Sequence, residues 1–76
     1  MAERRKWNGE RLRAEREAAG YTRAQVAIAI RRSWAAVYQF ETGHLTPGRE
    51  AQAEMADLFG CSLDAFYVFE ESDAVA

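Results

Sequence analysis

Residues 22–43 read TRAQVAIAIRRSWAAVYQFETG, and two short helices joined by a tight turn account for the order of residue types. Thr22-Arg23-Ala24-Gln25 is a capping box, in which the Thr hydroxyl serves the third amide and Gln25 reaches back. Val26, Ala27 and Ile30 form a buried side, while Ile28 and Ala29 lie where a solvated helix would carry polar residues. Arg31 and Arg32 occupy the turn, and Ser33 is the next N-cap. In the following helix, Trp34 to Glu41, Val37 and Phe40 share one face by their i, i+3 spacing. Trp34, Ala35, Tyr38 and Gln39 then face elsewhere. Thr42-Gly43 ends the helix, with Gly43 free to take a positive φ.

The flanks read as support for this pair. Asn8 caps a first helix from Gly9 to about Ala19, and Gly20 stops it. Trp7, Leu12 and Ala19 are expected to line its inward stripe, with Ala18 beside it. Thr46-Pro47 opens a fourth helix, because Pro suits a first helical turn. Its apolar set is Ala51, Met55, Leu58 and Phe59, and Gly60 stops it. Ser62 and Asp64 begin a short fifth helix with Leu63, Phe66 and Tyr67. The expected organisation is a basic arm over 1–7, one domain over 8–69 and a loose acidic tail over 70–76.

With 76 residues, the chain makes one domain. Apolar residues are 49% of it, which favours a folded chain over a disordered one. Cys61 is the single cysteine, so neither a disulfide framework nor a thiolate zinc site is expected. His44 reads as a plain loop residue and Cys61 as an inert apolar thiol. No metal, cofactor or small-molecule ligand is expected. No apolar run approaches the ~18 residues of a membrane span, and no secretory signal is read, so a cytoplasmic protein is expected.

The net charge of −2 conceals a strong division. Residues 1–32 hold nine Lys/Arg against four Asp/Glu, a balance of +5, and residues 33–76 hold one against eight, a balance of −7. One basic and one acidic face follow, and it is the local potential that guides an approaching phosphate backbone.

The run GYTRAQVAIAIRRSWAAVYQFETG resembles the helix-turn-helix of the lambda-repressor-like family, the Cro/C1 or XRE type. The matching positions are Gly20, Thr22, Val26, Ala27, Ile30, Ser33, Val37, Phe40, Glu41 and Gly43, without a gap. Pro47 and the run from Leu58 to Asp64 match the family's later half. The resemblance spans about residues 9–67 and implies a compact all-α domain of five helices. Arg31-Arg32 departs from the usual Gly and apolar residue of the turn. Glu15, Arg49 and Gln52 stand where apolar residues are common.

In such proteins the second helix of the pair lies in the major groove. By position, the resemblance implies that Trp34, Ala35, Tyr38 and Gln39 read bases, with Gln39 able to pair bidentately with adenine. It places phosphate contacts at Arg23, Arg31, Arg32, Thr42 and Arg49. Arg23 stands where the family usually has Gln, and Thr42 where it has Asn. It also implies a structural ion pair between Arg16 and Glu41. Tyr67, Val68 and Phe69, with Phe66 before them, form an apolar patch in a region that family members use for pairing.

The function implied is a sequence-specific, double-stranded-DNA-binding transcriptional regulator, acting as a repressor and as a homodimer. The alternative is the same fold used as a protein-interaction module, which the acidic total, Ile28, Ala29 and Trp34 favour. An enzyme is not expected, because no Gly-rich phosphate loop and no paired His and carboxylate motif is present.

Overall fold

The computed structural model describes residues 4–70. Residues 1–3 of the expected arm and 71–76 of the expected tail lie outside the described residues. The described chain runs β1 (Arg4–Trp7), α1 (Gly9–Ala19), α2 (Arg23–Ile30), α3 (Trp34–Thr42), α4 (Arg49–Phe59), a 3₁₀ turn (Leu63–Phe66) and β2 (Tyr67–Glu70). The class is all-α, with four α-helices among the described residues rather than five. The segment expected as the fifth helix is a single 3₁₀ turn that runs directly into a strand.

Local chemistry sets the helix boundaries. The Asn8 side chain accepts from the amides of Glu10 and Arg11, and Thr22 and Gln25 complete the capping box of α2. Ser33 Oγ accepts from the Ala36 amide at the start of α3. The fourth helix starts later than Pro47. Gly48 is its N-cap, and the Pro47 carbonyl instead accepts the Gln52 side-chain amide at 2.8 Å.

The core gathers Leu12 from α1, Val26, Ala27 and Ile30 from α2, Val37 and Phe40 from α3, Met55 and Ala56 from α4, and Phe66. Each fully buried large side chain contributes about 1.5–3 kcal/mol of transfer free energy. Ala18 and Ala19, expected inward, are exposed. The inward positions of α1 are Gly9, Leu12 and Arg16, at i, i+3 and i+7. Gln52 is buried but satisfied: besides its bond to Pro47, its Oε1 accepts from the Tyr67 hydroxyl at 2.9 Å.

β1 and β2 pair antiparallel, with Arg5 opposite Phe69 and Trp7 opposite Tyr67. Residues 4–7 are therefore a strand and not an arm. The reason lies in Trp7, whose ring meets Phe66 and Tyr67 and whose Nε1 donates to the Phe40 carbonyl at 2.9 Å. Arg5 adds an ion pair to Asp64 at 2.8 Å.

Candidate nucleic-acid interface

α3 is held from behind. Val37 and Phe40 are buried against α1 and α2, so the opposite face is turned outward. That face carries Trp34, Ala35, Tyr38 and Gln39, all exposed, with Trp34 at 50% and Tyr38 at 44%. An indole half open to solvent is unusual for a core residue, and here its partner is also on the surface. The Trp34 and Tyr38 rings stack one helical turn apart, 5.4 Å between centroids and 6° from parallel.

The turn before α3 is tight. Arg31 takes the left-handed conformation at φ 61°. Its amide donates to the Ile28 carbonyl and that of Arg32 to Ala27, which closes the end of α2. For a residue with a Cβ this backbone is strained, and the family's usual Gly avoids that cost. Both side chains are exposed and stand just ahead of α3.

Behind α3 lies a charge cluster. Glu41, at its end, is buried and accepts Arg16 Nε at 2.6 Å and Arg16 Nη2 at 3.3 Å. Arg16 Nη1 donates to the Tyr21 carbonyl at 2.9 Å. Arg23, the first residue of α2, donates its Nε to Glu41 Oε1 at 2.9 Å. One carboxylate thus ties α1, α2 and α3 together, and among the described residues no buried side-chain polar atom lacks a partner.

Arg23 is expected to meet phosphate, but its guanidinium is already engaged. Besides Glu41 it faces the Tyr38 ring at 5.4 Å and the Trp34 ring at 5.8 Å. Thr42 Oγ1 lies 3.2 Å from the Gln39 carbonyl and 2.9 Å from His44 Nδ1. Arg49 is exposed at the start of α4. An open groove of about 580 Å³ runs beside this surface, lined among others by Arg13, Arg23, Tyr38 and Thr42.

On the outer side of α1, the hydrogen bond from Arg13 holds the Glu17 carboxyl below the usual carboxylate range, and Glu17 raises Arg13 in return. Both groups are solvated, so this pair adds little stability. Cys61 is partly buried, and its desolvation, with Glu15 adding, pushes the thiol up.

The family model described as a helix-turn-helix domain matches residues 9–66. The chain belongs to the helix-turn-helix domain family. No relative is found among curated proteins. The match takes in α1 to α4 and the 3₁₀ turn, so the helices that pack behind α3 lie inside the helix-turn-helix domain. The two strands fall outside it. Among the described residues no helix is long and apolar enough to cross a membrane, and no cluster of His, Cys, Asp or Glu is placed to hold a metal ion.

Of the pairing candidates, Tyr67 is half-buried against Trp7 and Gln52, and Val68 is half-buried in β2. Phe69 continues the strand, and its side chain lies outside the described part. Three features of the structure have no counterpart in the sequence reading. One is Gly9, where a Cβ would meet the Glu41 carbonyl oxygen at 2.2 Å. The others are the aromatic stack on α3 and the strand pair. The i, i+4 spacing of Trp34 and Tyr38 was the available signal for the stack.

Proposed function

We propose that the protein is a sequence-specific DNA-binding transcriptional regulator that represses by occluding its site. The observation that carries this is the outward face of α3, with Trp34, Ala35, Tyr38 and Gln39 opposite two buried anchors. The first turns of α3 enter the major groove, where Gln39 pairs with adenine and the small Ala35 approaches a thymine methyl. Arg31, Arg32, Thr42 and Arg49 contact the flanking phosphates, and Arg49 does so beside the free amides at the start of α4. The work takes place where the DNA is, in the cytoplasm.

A homodimer on a two-fold site places two copies of α3 in successive major grooves, ~34–36 Å apart. With Tyr67 turned toward Gln52, the contact between copies falls to Val68, Phe69 and the edge of β2 away from β1. Sedimentation of the intact protein against a Phe69→Glu variant tests it; a monomer mass for both at every concentration removes the dimer.

A duplex-binding titration across salt tests the main reading. Each phosphate neutralised contributes about 0.9 to the slope of log affinity against log salt. Three arginines per copy, Arg31, Arg32 and Arg49, predict a slope of about −2.7 for one copy and about −5.4 for a homodimer, and binding that is flat in salt overturns the reading. A second reading, a protein-interaction module, draws on Ile28, which is 79% exposed on α2. It predicts salt-insensitive capture of a protein and no duplex binding.

A further inference from the structure

Arg23 stands at the head of α2, where a positive residue next to a groove-facing helix is easily taken for a phosphate clamp. Its surroundings describe another task. The side chain is three-quarters shielded, at 26% exposure. Its Nε is committed to Glu41, a carboxylate only 3% exposed and already fixed by Arg16. The guanidinium carbon lies over two rings at once, 5.4 Å and 5.8 Å from their centroids, and those centroids lie 5.4 Å from each other. The three planar groups form a nearly equilateral cluster, pinned at one corner to the buried ion pair.

We propose that Arg23 is a positioning residue: braced by Glu41, it fixes the Trp34–Tyr38 pair in one orientation before any duplex arrives. Left alone, an exposed indole and phenol on the first turns of a helix sample several rotamers, each presenting a different shape to a groove. A guanidinium is suited to the task because it is flat, stacks on aromatic faces and offers donors in a fixed fork. An ammonium has the charge without the plane. The chain of contact runs from Arg16 through Glu41 and Arg23 to the rings, so the core dictates the geometry of the reading face. The ordering entropy of the two rings is then spent in folding and not in binding, and preset rings discriminate better between sequences.

This inference rests on the DNA-binding reading for its consequence but not for its geometry, and the experiment separates the two. Both tryptophans are replaced by 5-fluorotryptophan, and the Trp34 signal is assigned with Trp34→Phe. In the free protein, Arg23→Ala is expected to shift or broaden the Trp34 fluorine line while that of Trp7 stays in place. Arg23→Lys is expected to do the same. An unmoved Trp34 line in Arg23→Ala overturns the proposal whether or not the protein binds DNA.

On duplexes selected from a random pool, Arg23→Ala and Arg23→Lys are both expected to reduce the preference for the best sequence by about tenfold. The salt slope should keep its wild-type value. A phosphate clamp behaves in the opposite way: the slope falls by about 0.9 in Arg23→Ala, Lys restores it, and sequence preference is kept. That pattern overturns the positioning role. If the wild-type chain binds no duplex, the DNA-binding reading falls and the fluorine lines decide the positioning alone.

Discussion

Gly9→Ala is the substitution for which local propensity and tertiary geometry disagree most sharply. Gly9 is the first residue of α1, and alanine is the better helix former by about 1 kcal/mol, so propensity alone predicts a more stable protein. The structure predicts the reverse. A methyl group at Gly9 lies 2.2 Å from the Glu41 carbonyl oxygen and 2.5 Å from that of Phe40, whereas ordinary contact begins near 3.4 Å. Both obstacles are backbone, so no rotamer change relieves them. Opening the gap from 2.2 to 3.4 Å separates the start of α1 from the end of α3 by about 1.2 Å.

That displacement acts on two bonds at the same junction, Trp7 Nε1 to the Phe40 carbonyl at 2.9 Å and Arg16 Nε to Glu41 Oε2 at 2.6 Å. Overpacking costs about 1–3 kcal/mol, and a weakened buried hydrogen bond adds about 1 kcal/mol. Set against the propensity gain, the net loss is about 1–3 kcal/mol. A chain of this length has a total stability of about 4–11 kcal/mol. Urea unfolding followed by far-UV circular dichroism should show a lower midpoint at similar slope, and the Tm should fall by about 5–25 °C. A midpoint equal to or above that of the wild type refutes the close approach of α1 and α3.

Further outcomes follow from the same geometry. Arg31→Gly relieves the left-handed strain at φ 61° and should stabilise the domain by about 1 kcal/mol, while its loss as a phosphate contact lowers the salt slope by about 0.9; a less stable variant in urea contradicts the strain. Glu41→Ala leaves the buried Arg16 guanidinium without its carboxylate and should cost about 3–5 kcal/mol. The double variant Arg16→Met/Glu41→Leu should recover much of that loss, and an equally unstable double variant would show that the pair is not the cause. Cys61 has its thiol pushed up by burial, so less thiolate is present at a given pH than in a free cysteine. Alkylation near pH 8 should therefore be slower than for glutathione and should reach the free-thiol rate in urea; equal rates in the folded protein contradict it.

The helices were legible because their signals are local. Capping residues at Asn8, Thr22 and Ser33 and the i, i+3 pairs in α2 and α3 act within a few residues, and the structure places the caps where those signals put them. Misreadings arose where distant contacts decide the outcome. Four residues of β1 are too few for a period to show, and their strand state depends on Trp7 meeting Phe66 and Phe40 far along the chain. Gln52 interrupts an apolar stripe, and only the positions of Pro47 and Tyr67 reveal that its polar atoms are satisfied. The outward face of α3 could be read from the spacing of Val37 and Phe40. The guanidinium that sits against its rings could not, because Arg23 comes from another helix and reaches the rings through a carboxylate at the far end of α3.

The central claim is that the exposed face of α3 reads duplex DNA. Selection from a random duplex pool, sequenced for the wild type and for Gln39→Ala in parallel, tests it most directly. The expected result is an enriched motif with an adenine that the wild type requires and Gln39→Ala no longer selects, the rest of the motif being kept. A wild-type pool that stays at its starting composition contradicts the account, as does a motif identical in the two proteins.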